Sequence, residues 1–194
     1  MKRTIPIFLA LILALALPVF AQEDEEGEQE KTIEELYLSR NAEVQIVRYQ
    51  ANSQDRDTKM LALQTLRSMH EAGRIDPDDP LVMNVVDNLA SEGVDRQIRE
   101  NKRVTNYFPE IRRQAAGLLG DIGGELAVQS LRDIMTSDPE PMVLSEAAYA
   151  LGKIGSNQSG EATEVIAWAL NRENSKRKPD DNFAFAALLA TEKL

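Results

Sequence analysis

Two fifteen-residue stretches, "PEIRRQAAGLLGDIG" from Pro109 and "PMVLSEAAYALGKIG" from Pro141, begin 32 residues apart and share seven positions. Proline opens each, at a place where a helix loses nothing by its missing N–H. Ala115–Ala116 and Ala147–Ala148 are small where two helices must approach closely, while Leu119 with Ile122 and Leu151 with Ile154 supply an apolar stripe. Gly123 and Gly155 are expected to stop the helices in a left-handed conformation. A second helix follows each copy: Leu126–Met135, with Ala127, Leu131, Ile134 and Met135 inward, and Glu161–Leu170, with Ala162, Ile166, Ala169 and Leu170 inward. A single helical hairpin cannot bury both of its faces, but stacked hairpins can. A period of this length therefore predicts an all-α fold, a short α-solenoid of stacked antiparallel helix pairs.

Fainter copies flank the clear ones at 109–137 and 141–171. Thr58–Met69 and Leu81–Ala90 both have helical apolar spacing and are separated by "EAGRIDPDDP", a Gly- and Pro-rich turn. They predict a degenerate unit over 57–91. Before them, Thr32 and Glu35 form a possible capping box for a helix running to about Ala51, which "NSQDRD" ends. "DDNFAFAALLATEKL" predicts a half repeat over 180–194. No segment alternates with period two for long enough to argue a strand. The least regular part is "GVDRQIRENKRVTNYF", Gly93–Phe108.

The pattern in "IRRQAAGLLGDIGGELAVQSLRDIMTSD" and "VLSEAAYALGKIG" resembles the HEAT-repeat family, most closely its short PBS-lyase-like bacterial variant. The family's usual basic residue after the β-branched position is present as Arg112 and replaced by Leu144 in the second copy. The resemblance implies a right-handed stack whose concave surface binds another macromolecule. It does not extend to the pigment-attachment chemistry of some members, because a repeat marks architecture and fold does not imply function.

The N-terminus carries a different message. Lys2 and Arg3 precede the apolar run "IPIFLALILALALPVF", and Val19 and Ala21 stand at the small-residue positions of a cleavage site. This predicts a signal peptide over 1–21 and export to the periplasm or cell envelope. Sixteen residues of helix would span only about 24 Å, short of a ~30 Å hydrocarbon core, so no membrane insertion is expected after cleavage. Residues 22–31, "QEDEEGEQEK", contain nothing to bury and predict a disordered acidic leader. The remaining domain is 32–194.

Charge and composition then narrow the function. With Lys2 and Arg3 removed, 20 basic side chains face 32 acidic ones, a net charge of −12. That argues against nucleic acid and against anionic membranes as partners. The absence of cysteine excludes disulfides, a lipoprotein anchor and thiolate metal sites. The single histidine, His70, leaves almost nothing from which to build Ser-His-Asp or Cys-His systems. No catalytic residues, metal or cofactors are expected. A carboxylate-based hydrolase or a lyase relative stays as an alternative, which two converging buried carboxylates would favour.

Candidate contact residues cluster in the irregular connection: Arg96, Arg99, Lys102, Arg103, Arg112 and Arg113, with Tyr107 and Phe108 beside them. They read either as a solvated loop with its aromatic pair tucked beneath, or as a protein-binding patch of the residue types enriched at interfaces. Trp168 lies off its helix's apolar stripe and is expected to be covered by the final helix, with exposure on the concave face as the other reading. That final helix, with Phe183, Phe185, Leu188 and Leu189, is more apolar than one interface needs. Either it packs on several sides, or its open side docks a partner or a second copy. The sequence thus predicts a protein-binding adaptor, with a structural accessory subunit docked through the C-terminal helix as the first alternative.

Overall fold

The structure, a computed structural model, describes residues 32–155 and 160–194, with side chains from 41 onward. The expected signal peptide and acidic leader lie outside the described residues. The chain divides into two compact units, Met1–Leu38 and Ser39–Leu194. Helix α1 spans Ile33–Ala51.

Within the second unit the helices are α2 (Arg56–Glu71), α3 (Pro80–Ala90), α4 (Pro109–Ile122), α5 (Gly124–Ser137), α6 (Pro141–Ile154), α7 (Glu161–Asn174) and α8 (Asp181–Lys193). Their ends follow local chemistry. Proline opens α3, α4 and α6, and aspartate side chains cap α2, α3 and α8: Asp55 on Thr58 N, Asp79 on Leu81 N and Asp180 on Phe183 N. Two positions refine the expected boundaries. Gly155 is left-handed, but Gly123 combines φ 74° with ψ −163°. Gly123 ends α4 and begins α5 at once, so the chain must leave in an extended direction rather than curl back. The other departure is a two-residue ribbon, β1 (Arg99–Glu100) paired antiparallel with β2 (Arg103–Val104), inside the connection read as strand-free.

The helices form two layers. One contains α2, α4, α6 and α8, each packed on the next; the other contains α3, α5 and α7. Helix α4 pairs with α5 and α6 with α7, as stacked antiparallel pairs should. The core between the layers includes Leu66, Met69, Val86, Leu89, Leu119 and Leu131, all essentially inaccessible, and their burial away from water is the dominant stabilising term. Close approach in the first layer depends on the first glycine of each "LGxIG". A Cβ on Gly120 would sit 2.6 Å from Ala150 Cβ, and one on Gly152 would sit 2.7 Å from Ala190 Cα. These glycines, beside the alanine pairs, set the spacing of α4 on α6 and of α6 on α8.

A charge ladder crosses the same layer. Asp121 in α4 accepts from Arg67 in α2 at 2.9 Å and from Lys153 in α6 at 2.6 Å. Burial pushes the Asp121 carboxyl up, but Lys153 and Arg67 outweigh it and hold it below its usual value. A depressed folded pKa contributes stability that is present above the unfolded value of about 3.9 and is lost as pH falls through the folded value. Asp121→Asn is therefore expected to cost about 0.5–1 kcal/mol at neutral pH, kept small by the half-exposed cations, and nothing in strong acid. Urea denaturation of both proteins across that range checks this. A gap persisting unchanged in acid would assign the loss to packing instead.

Candidate protein-interaction surface

The connection between α3 and α4 is built around buried polar groups. Asn106, nearly inaccessible, accepts at Oδ1 from Ile98 N at 2.8 Å and donates through Nδ2 to Arg96 O and to Glu92 Oε1, each at 2.7 Å. Glu92 Oε2 in turn receives Lys59 Nζ at 2.7 Å, and Lys59 also donates to Ala51 O at 2.6 Å. Gly93 lies against Asn106 so closely that a Cβ there would be 2.1 Å from its carbonyl oxygen. Residues 92–106 are thereby pinned at their base, and the ribbon that rises from it is held rather than loose.

Arg112 belongs to this base and not to the surface. It is 0% exposed. Its Nε donates to Asp138 Oδ2 at 2.6 Å, its Nη2 to Asp138 Oδ1 at 3.3 Å and its Nη1 to Glu92 O at 3.0 Å. Burial opposes its charge, but the Asp138 carboxylate outweighs burial and raises its pKa above the usual guanidinium value. The expectation that Arg112 meets a partner is corrected accordingly: its guanidinium is fully used inside. Tyr107 is also largely internal, with its hydroxyl donating to Glu140 at 2.6 Å and its ring 4.6 Å beneath Arg112. Burial raises the Tyr107 pKa, helped by Glu140 and opposed by Arg112. Phe108 packs against the core. The aromatic pair is thus tucked under the loop, as one of the two readings held.

The pattern around Arg112 recurs, and this is what the sequence reading missed. Lys59, Arg112 and Leu144 are each the fourth residue of their helix, in α2, α4 and α6. Each unit also places a carboxylate just after or at the end of its second helix: Glu92, Asp138 and Glu173. Lys59 meets Glu92 and Arg112 meets Asp138. In the third unit Leu144 cannot, and Glu173, 1% exposed, takes its cation from Lys176 at 2.6 Å. Asp138 also accepts from Glu140 N and Glu173 from Asp180 N, the residues that precede α6 and α8. A buried carboxylate therefore orders the entry of the following helix in both units. The basic residue at position 112 and the acid at 138 were the visible signal. Asp138 and Glu173 are nearly inaccessible, and each is committed to its own seam.

The remaining contact candidates are exposed. Arg96, Arg99, Lys102 and Arg103 all face solvent. Among the described residues none of the four forms an ion pair, and Arg99 donates only to its neighbour Gln97. Elsewhere the cations are mostly committed: Arg56, Lys59, Arg67, Arg112, Arg132 and Lys153 each meet a carboxylate. Arg113 is exposed on α4, 4.0 Å from Glu146. With Met142 and Tyr149 it lines a shallow cavity of about 410 Å³.

Trp168 is not covered by α8. It is 48% exposed, because α8 packs chiefly on α6 and leaves the α5–α7 layer open. Arg172 stacks 4.8 Å over its ring. The same guanidinium donates to Thr136 O at 2.6 Å and Asp138 O at 2.8 Å, so it is fixed across the seam after α5. Beside it, Asp133 is raised above its usual pKa by burial and by the nearby Asp87 and Asp95 carboxylates, against Arg132. On α8 itself, Phe183 is buried while Phe185 and Leu188 are about two-thirds exposed.

Residues 102–178 match the family described as HEAT repeats. The matched region takes in the end of the ribbon, both clear helix pairs and the seams that follow them. It agrees with the resemblance read from the two repeated stretches. No curated protein matches the chain. HEAT arrays present extended surfaces suited to binding other proteins. Among the described residues, no helix is long and apolar enough to cross a membrane.

Proposed function

We propose that this chain is an exported adaptor that binds another protein in a bacterial cell envelope and performs no bond chemistry. Export rests on the basic start, the apolar run from Ile5 to Phe20 and the small residues before Gln22. The observation that carries the binding reading is this connection: Arg96, Arg99, Lys102 and Arg103 have no carboxylate partner among the described residues, on a segment anchored by buried hydrogen bonds, in a chain of net charge −10. Trp168 and Arg172 add a second contact area on the α5–α7 layer. An exposed indole and a guanidinium are residue types that dominate interface energetics.

The test is crosslinking and capture of the full chain from its own cells. The wild type is expected to retain a partner that the folded variant Arg99→Glu/Arg103→Glu loses. Equal capture by both proteins would remove the ribbon from the reading.

A second reading, an accessory subunit docked through α8, is supported by the exposure of Phe185 and Leu188. Phe185→Ser/Leu188→Ser separates the two, because α8 keeps its buried Phe183 and Ala187 contacts in that variant. Loss of the partner in this variant, with retention by the ribbon variant, would favour docking at α8.

A further inference from the structure

The ribbon's geometry says more about what it meets. Its turn, Asn101–Lys102, has positive φ at both residues, 48° and 67°. This is the tight hairpin connection that favours glycine at the second place, since an L residue in the left-handed region is disfavoured. Asn tolerates that region, but lysine has no such reason to be there. The sequence keeps a strained cation at the tip where a glycine would relax the backbone.

The pairing places the other charges. Arg99 stands opposite Val104, and Glu100 opposite Arg103. Directly opposed residues share a face and successive residues alternate. Arg99 therefore projects from one face and Arg103 from the other, with Lys102 at the tip and Arg96 toward the base. Glu100, although opposite Arg103, forms no ion pair with it among the described residues, where Arg56, Arg67 and Arg132 find carboxylates on neighbouring helices.

We infer that the ribbon is the docking element for a flexible acidic polypeptide segment, rich in Glu and Asp, supplied by the partner. This rests on the adaptor reading and specifies its partner. A flat surface could reach only one face of the ribbon, whereas a flexible acidic segment can contact Arg99, Lys102 and Arg103 together. Nucleic acid and anionic lipid would offer the same sign of charge, but the rest of the acidic chain repels their extended charged surfaces. A short segment can be held at the ribbon alone.

The experiment uses the full chain and a fluorescent ten-residue oligo-glutamate peptide as probe, read by anisotropy, alongside the capture assay above. Lys102→Gly is the key variant. It is expected to be at least as stable as wild type in thermal unfolding, because it relieves the positive φ, yet to bind the peptide more weakly. Arg99→Glu/Arg103→Glu should weaken binding by about tenfold or more, and added salt should weaken the wild type. Unchanged peptide binding in the charge-reversed variant would overturn the inference. So would equal affinity for single-stranded DNA or for phosphatidylserine vesicles, which would make the ribbon a general polyanion patch. If a protein partner is captured through the ribbon but the acidic peptide does not bind, the inference falls and the adaptor reading stands. If neither binds, both fall.

Discussion

Arg112→Leu is expected to destabilise the protein by about 3–5 kcal/mol, the range for removing one partner of a buried ion pair. The second repeat carries leucine at the equivalent position, Leu144, so the side chain itself suits the fold. The loss comes from what is left behind: Asp138, 1% exposed, would be buried without the guanidinium that pairs with it. The Glu92 carbonyl would lose the donor at 3.0 Å as well. The double variant Arg112→Leu/Asp138→Asn should recover much of this, to within about 2 kcal/mol of wild type, because it removes the uncompensated charge and its amide oxygen can still accept from Glu140 N. Urea denaturation of the three proteins decides the matter. Additive losses in the double variant would show that packing, not charge, sets the cost.

Gly93→Ala is expected to cost about 2–5 kcal/mol, combining a left-handed alanine with overpacking. At φ 73° the backbone already disfavours any side chain, and the new Cβ would stand 2.1 Å from Asn106 O and 2.9 Å from its carbonyl carbon. Backbone must move, and Asn106 holds both Ile98 and Arg96, so the ribbon should shift with it. Gly73→Ala supplies the comparison: its φ is 66° but nothing lies within 4 Å. It should lose only the conformational part, about 1–2 kcal/mol. Thermal unfolding of both variants, with peptide binding as the second readout, tests whether closeness or backbone angle dominates. Equal losses at the two positions would leave the contact with Asn106 without energetic weight.

The helices were legible because their information is local and repeated. Ala115–Ala116 and Ala147–Ala148, the leucine and isoleucine stripes and the closing glycines each state a helix, its face and its end. The starts of α2 and α5 fell two residues early of the expected ones, because Asp55 caps α2 before its apolar pattern begins and Gly123 both ends α4 and opens α5. The ribbon was not legible: two residues on each side are too few for alternation to register, and its anchor, Asn106, is an ordinary polar residue in sequence. Arg112 was misplaced for a related reason. In a basic cluster it resembles its exposed neighbours, and only the distant Asp138 takes it inside. Trp168 was expected under α8 because the periodicity of α7 defines its apolar stripe but not which layer α8 joins. The small residue Gly152 and its contact Ala190 decide that.

The recurring buried pairs also define where this chain can be cut or extended. Lys59 with Glu92, Arg112 with Asp138, and Lys176 with Glu173 each lie within one unit. A whole unit could be deleted or duplicated without stranding a buried charge, provided the break falls after both members of its pair. A break at the end of the second helix, between Ser137 and Asp138, would separate Arg112 from its counter-ion although every helix remained whole. The unit of inheritance in this array is therefore longer than the helix pair by the residues of its joint.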